Sequence, residues 1–326
     1  MIPIIIVHDA SFLMRCKDNN QIENDMIDIK RLTKRYGRLT ALDHVSLSVS
    51  EGSLFGLIGP DGAGKTTLYQ ILTTLLTPDE GSATVAGLDV VKDYRKLRTE
   101  IGYMPERFSL YPDLTVDENL HFFASLFGVD AKDNFDLIAP IFDQLKKFPN
   151  RRAGALSGGM KQKLALGCAL IHRPKVLLLD EPTTGVDAVS RSEFWDMLAT
   201  LRDKGITILV STSYMDEAER CERIALINKG KILDVNTPCK LIEGLDKNLY
   251  NASAKEMYPL LEALRTLPDV RDCYTFGATL HVVTSDGFNP DDVVRRLRQK
   301  GLDDARIWPA KGNIEDLFIK LADKNG

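Results

Sequence analysis

The feature that most constrains this chain is an apolar run that turns directly into a glycine-rich loop. Leu54 to Ile58 reads as a buried strand, and Gly59-Pro60-Asp61-Gly62-Ala63-Gly64-Lys65-Thr66 follows without a gap, with Thr67 next. The loop satisfies GxxxxGK[ST] in the setting its chemistry needs, after a predicted strand and before a predicted helix over residues 65–75. Glycines let backbone N–H groups curl around phosphate, and the helix N-terminus adds a favourable dipole. Lys65 would reach the outer phosphates, and the Thr66 hydroxyl is suited to Mg²⁺. Alone, this pattern says only that a nucleotide is bound.

Composition narrows the setting. With 326 residues and 44% hydrophobic content, the chain has material for one large domain and one small one. Its 42 Lys+Arg against 46 Asp+Glu leave a formal charge of -4, too balanced for a nucleic-acid footprint or a polybasic anchor. Cys16, Cys168, Cys221, Cys239 and Cys273 are scattered and form no CxxC pair, which fits a reducing, cytoplasmic setting. No apolar run approaches the roughly 18 residues of a spanning helix, so a role at a membrane would be played from outside the lipid. The apolar stretch over residues 1–7 lacks a basic leader and a cleavage site, and residues 1–25 read as an N-terminal tail.

From residue 26 to 244, beginning with a strand over residues 27–32, short apolar runs alternate with helix-period segments, the pattern of an α/β domain on a largely parallel sheet. Residues 116–128 and 135–147 carry apolar residues at helical spacing, with Pro140 interrupting the second. They predict a helical insert over about residues 106–160. Strands over residues 175–180 and 206–211 end in carboxylates and hydroxyls respectively, and ligands in such sheets lie beyond the strands' carboxyl ends. Residues 245–326 change rhythm to βαββαβ plus a last helix, a small α+β unit of ferredoxin-like order.

Two further motifs sharpen the nucleotide reading. Leu156-Ser157-Gly158-Gly159-Met160-Lys161-Gln162 is a glycine turn opening a helix that runs to about His172. Ser157 suits a helix N-cap as well as a phosphate contact. Val176-Leu177-Leu178-Leu179-Asp180-Glu181-Pro182 places Asp180 to hold Mg²⁺ through water and Glu181 to orient or deprotonate an attacking water.

In this order on one chain, the three motifs resemble the nucleotide-binding domains of ABC transporters, over about residues 27–244. The resemblance implies an ATPase using ATP and Mg²⁺, with Glu181 catalytic and Thr66, Asp180 and Glu106 at the metal. It also implies ATP contacts from residues 59–67 and from Tyr36, an aromatic that packing would explain equally well. Gly185-Val186-Asp187 resembles the loop that crosses to a partner domain. In this family two domains close head to tail, so Ser157, Gly158 and Gly159 would complete the ATP site of a second nucleotide-binding domain, in a homo- or heterodimer.

Two positions depart from the family. In Gly102-Tyr103-Met104-Pro105-Glu106 the last residue is usually glutamine, which contacts Mg²⁺ and senses the permease. A carboxylate attracts Mg²⁺ and repels the γ-phosphate, each by about 4 kcal/mol at 4 Å and an effective dielectric near 20, which leaves the net sign open. In Leu209-Val210-Ser211-Thr212-Ser213 the switch histidine that touches the γ-phosphate falls at Ser213, and losing such a donor costs about 2.7–4 kcal/mol. Together they imply a partly degenerate P-loop site beside an intact signature.

Tyr214-Met215-Asp216-Glu217-Ala218-Glu219-Arg220-Cys221, the segment 111–120 and Ile314-Glu315-Asp316-Leu317-Phe318 look like the drug-exporter branch serving ABC-2-type permeases. Within it the similarity is to the first half of tandem, YbhF-type subunits. The resemblance implies permease partners in the inner membrane, no nucleic acid, and a peripheral place on the cytoplasmic face. The C-terminal unit would serve assembly or regulation, or be a packing extension. Two alternatives stand beside export: a non-hydrolytic regulatory half of a heterodimer, and a soluble non-transport ABC ATPase. Neither a second cassette nor a long heptad insert is present to favour the latter.

Overall fold

The computed structural model describes residues 24–130, 137, 139, 141, 145–243 and 245–324. The tail read over residues 1–25 lies outside these except for its last two residues, as do Cys16, Pro140 and Gly244. Of the second predicted insert helix, Leu137, Ala139, Ile141 and Leu145 are described as helical. The chain divides into two compact units after Pro238.

The first unit is built on two sheets. Strands β1 (Asp25–Tyr36), β2 (Leu39–Ser50), β4 (Glu80–Val85) and β5 (Leu88–Asp89) form an antiparallel sheet in the order β2-β1-β4-β5. Strands β3 (Leu54–Ile58), β6 (Ile101–Met104), β7 (Val176–Asp180), β8 (Thr207–Thr212), β9 (Arg223–Asn228) and β10 (Lys231–Asn236) form the central sheet, ordered β10-β9-β3-β8-β7-β6. All its pairings are parallel except β10 on β9. Every residue of β3, β7 and β8 is buried, which is why these strands are unbroken apolar or small-residue runs rather than alternating ones.

Helix α1 (Lys65–Leu72) packs between the two sheets. Its Leu68, Tyr69 and Leu72 are buried in one cluster with Ile27, Val45 and Val85 of the antiparallel sheet and Leu57, Leu178 and Leu209 of the central one. Each such aliphatic side chain contributes about 1.5–3 kcal/mol by leaving water. α1 stops earlier than the predicted residue 75 because Thr74 turns to a φ of 64°, which ends the helical path.

Helices α2 (Tyr94–Glu100), α3 (Val116–Phe127), α4 (Gly158–Leu170) and α5 (Ala188–Asp203) complete the unit. α3 begins with a reciprocal capping box between Thr115 and Glu118 and ends at Gly128 with a φ of 69°. Registers Ile58↔Thr212, Asp180↔Ser211 and Met104↔Leu179 align the strand ends, so Gly59, Glu181, Ser213 and the loop to Glu106 all leave the sheet at one edge.

The second unit comprises β11 (Leu249–Ser253), α6 (Met257–Arg265), β12 (Val270–Phe276), β13 (Thr279–Thr284), α7 (Pro290–Gln299), β14 (Arg306–Pro309) and α8 (Ile314–Lys324). The sheet is antiparallel in the order β12-β13-β11-β14, so the βαββαβ order folds as a ferredoxin-like sheet. Leu260, Leu264, Val293 and Leu297 pack with Ala252, Leu280 and Val282 on one face. On the other, Asp316 of α8 accepts from the Tyr274 hydroxyl (2.7 Å) and from Asn313 N (2.9 Å). His281 Nδ1 lies 2.6 Å from the same carboxylate, and Asp316 N donates back to Asn313 Oδ1 (3.0 Å). One buried carboxylate thus starts the last helix and ties it to the sheet.

Candidate functional site

The glycine loop is shaped by its neighbours. A Cβ on Gly59 would lie 2.2 Å from Ile227 O in β9, so only glycine lets the loop leave the sheet here. Gly64 has a φ of 106°, and its Cβ would stand 2.5 Å from Ala41 O. Gly230 N donates to Ala63 O (2.9 Å), clamping the loop from the β9–β10 turn.

Lys65 is not extended outward, as the sequence suggests for a phosphate contact. Its ammonium donates to Gly59 O (2.6 Å) and Pro60 O (2.9 Å) and pairs with Glu181 Oε1 at 2.9 Å. Both side chains are buried, so each charge finds its counterpart within the protein. Glu181 Oε2 accepts from Thr184 Oγ1 (3.0 Å), Ser213 N (3.2 Å) and Ser213 Oγ (3.3 Å).

Asp180 and Glu181 share a strand end but differ in environment. Asp180 is fully buried; its Oδ1 accepts from Ser211 Oγ (2.8 Å) and its Oδ2 has no partner. Burial pushes the Asp180 carboxyl above the usual carboxylate range, against the hydrogen bond from Ser211 and the pull of the nearby Thr66 hydroxyl; the Glu181 and Glu106 charges push it further up. Glu181 adopts a φ of 51°, and its N–H donates to Ser211 Oγ (3.0 Å). An unpaired buried carboxylate oxygen beside a threonine hydroxyl is a donor set suited to Mg²⁺, which takes few protein oxygens and shares the rest with water and phosphate.

These groups border a cleft of about 780 Å³. Of the residues read from sequence, Tyr36, Asp61, Gly62, Gly64, Lys65, Thr66, Thr67, Glu106 and Glu181 line it. Gly59, Pro60 and Ala63 form the loop without lining the cleft, and Asp180 is buried at the end of β7. Leu39, Thr40, Ala41, Lys229 and Gly230 also line it and carry no signal in the sequence, because they come from a strand start and a turn brought in by the fold. Tyr36 is 46% exposed, open to stacking by a planar group.

Ser157, Gly158 and Gly159 do not line this cleft. Ser157 caps α4, its hydroxyl accepting from Met160 N at 3.4 Å, and Ser157 and Gly158 are exposed. Gly159 is buried, and its Cβ would lie 2.6 Å from Ser190 on α5. Asp187 caps α5 in turn by accepting from Ser190 N (3.0 Å), so the glycine turn and residues 185–187 form one packed corner.

Behind Ser213 lies a buried network that the sequence does not reveal. Glu217 accepts from Thr212 Oγ1 (2.6 Å) and Thr183 Oγ1 (2.9 Å), fixing the chain after β8 against that after β7. The hydroxyl run 211–213 at the end of a buried strand is its one visible trace.

Comparison with known proteins agrees with this geometry. The family model described as ABC transporter matches residues 42–184. The Probable multidrug ABC transporter ATP-binding protein YbhF of Escherichia coli (strain K12) is 40% identical over 91% of this chain and 52% of its own length. The chain thus spans about half the length of that relative. The Nod factor export ATP-binding protein I of Burkholderia orbicola (strain AU 1054) is 37% identical over 90% of this chain and 96% of its own. Among solved structures, a dimeric ATP-binding cassette in a post-hydrolysis state with ADP and Pi superposes with a TM-score of 0.59 at 26% identity, covering 65% of this chain and 98% of that one.

Proposed function

This chain belongs to the ABC transporter family of ATP-binding proteins, and from that premise we propose that it binds and hydrolyses ATP to energise export through a membrane permease. The observation that carries the reading is the convergence of Lys65, Thr66, Glu106 and Glu181 on one cleft, with Asp180 beneath it. Lys65 would exchange Glu181 for the β- and γ-phosphates, and the loop N–H groups would cradle them. Glu181, released from Lys65, would orient the attacking water and take its proton. Mg²⁺, held by Thr66 and Asp180 with Glu106 nearby, would supply charge neutralisation at the phosphates. Tyr36 would stack on adenine.

Exposed Ser157 and Gly158 would face the ATP of a second nucleotide-binding domain, in line with the dimeric cassette. The partner in the membrane would be an ABC-2-type permease, with this chain peripheral on its cytoplasmic face. That assignment rests on the exporter names of the relatives. It also draws on an apolar groove of about 570 Å³ bordered by Leu75, Phe123, Leu126 and Phe127. No described helix is long and apolar enough to cross a membrane itself.

Ser213 supports a weakened site. In place of an imidazole reaching toward phosphate, its hydroxyl and N–H are turned onto Glu181. The same observation favours a second reading, a non-hydrolytic regulatory half. The test is MgATP binding and turnover by the complex purified with its permease, comparing wild type with Lys65→Ala on this chain. Binding to this chain should fall at least tenfold, with permease-stimulated turnover reduced; binding that is unaffected by Lys65→Ala contradicts the assignment.

A further inference from the structure

Ser211 stands two residues before the switch position Ser213 and has no role assigned by the nucleotide motifs. It lies in β8 directly across from Asp180 of β7, and the parallel register puts their side chains on the same face of the sheet. Its residue is fully buried. Its hydroxyl makes two bonds with opposite polarity: Oγ–H donates to Asp180 Oδ1 (2.8 Å), and the Oγ lone pair accepts from Glu181 N–H (3.0 Å). A hydroxyl is among the few small groups able to do both.

Each bond has a consequence. Occupying Asp180 Oδ1 leaves Oδ2 as the oxygen without a partner, so the carboxylate has one free face. Accepting from Glu181 N–H holds that residue in the left-handed region at a φ of 51°, a conformation that a side chain bearing a Cβ adopts at some cost. That turn aims the Glu181 carboxylate at Lys65 rather than along the strand.

We infer that Ser211 is a positioning residue for the nucleotide site, one hydroxyl that assigns Asp180 Oδ2 to the metal and sets the turn that aims Glu181. The inference rests on the reading of Asp180 and Glu181 given under Proposed function. Alanine at this position removes both bonds at once, leaving a buried carboxylate oxygen and a buried N–H without partners. Threonine keeps the hydroxyl and suits a strand.

The experiment uses the full chain with a fluorescent ATP analogue, titrated with and without Mg²⁺, for wild type, Ser211→Ala, Ser211→Thr and Asp180→Asn. Ser211→Ala should leave Mg²⁺-free binding within twofold of wild type. It should raise the Mg²⁺ concentration for half-maximal effect about tenfold, the scale of one hydrogen bond to a charged group. In the permease complex its kcat should fall at least tenfold at unchanged KM for ATP, and Ser211→Thr should restore both. If Asp180→Asn alters the Mg²⁺ dependence and Ser211→Ala does not, the inference fails while the site reading stands. If Ser211→Ala weakens Mg²⁺-free and Mg²⁺-bound states alike and threonine gives no rescue, Ser211 only packs, and the inference fails. If Asp180→Asn has no effect on the Mg²⁺ dependence, the site reading fails and the inference with it.

Discussion

Lys65 Nζ lies 2.9 Å from Glu181 Oε1, so the cation proposed to meet phosphate and the carboxylate proposed to act on water neutralise each other. ATP must therefore break an ion pair between two buried side chains before it can engage the loop. Glu181→Gln removes that competitor and a negative charge facing the γ-phosphate. Its affinity for MgATP should rise about three- to tenfold, by roughly 1 kcal/mol of relieved charge competition. Equilibrium titration with a fluorescent nucleotide checks this.

Asp180 gives the chain a pH signature. Burial raises its folded-state pKa above the ordinary value of 3.8, so between 3.8 and that raised value the folded protein holds a proton that the unfolded chain releases. Its contribution to stability is present below 3.8 and is lost as pH rises through the raised folded value. Asp180→Asn should thus raise the Tm of the nucleotide-free chain at pH 7 and leave it nearly unchanged near pH 4. Each kcal/mol of relief corresponds to about 2–4 °C. Thermal melts across this range supply the comparison.

Ser213 is the position where catalysis should be improvable. Its hydroxyl is 3.3 Å from Glu181 Oε2 and is turned onto that carboxylate. Ser213→His would give the base up and restore a donor of longer reach. ATPase activity of the assembled complex should rise, by as much as about a hundredfold if the histidine reaches the transition state. Steady-state phosphate release measures it, and an unchanged rate removes the idea of a degenerate site.

In the C-terminal unit, Asp316 holds Tyr274, His281 and the start of α8 together. Asp316→Ala leaves buried His281 and half-buried Tyr274 without this partner, and the second unit should lose about 2–5 kcal/mol. Urea denaturation of the full chain should show that unit unfolding earlier, with MgATP affinity unaltered.

The parts of this molecule written in contiguous residues were legible. The run 54–66 and the run 176–182 each carry a buried strand into a turn, and both strands form where read, although Lys65 folds back onto Gly59 O and Glu181. The ferredoxin-like order of the second unit was equally clear from its alternation of elements. The antiparallel sheet was not: β1 and β2 are twelve residues long, but β1 carries charged Lys30, Arg31, Lys34 and Arg35 and several register shifts that break the period of two. Lys229 and Gly230 reach the cleft through a turn distant in sequence, and Ser211 works through a cross-strand neighbour. Such juxtapositions belong to the fold rather than to any motif.

The central claim, that Glu181 makes this chain an ATP-hydrolysing subunit, is tested most directly by identifying the nucleotide on this chain. The permease complex is loaded with a photoactivatable ATP analogue, allowed to turn over, and cross-linked, and the label on this chain is analysed. Wild type is predicted to carry the diphosphate, and Glu181→Gln the triphosphate, its turnover reduced about a hundredfold or more. Triphosphate on both would make the chain a non-hydrolytic half; diphosphate on both would show that Glu181 is not the base.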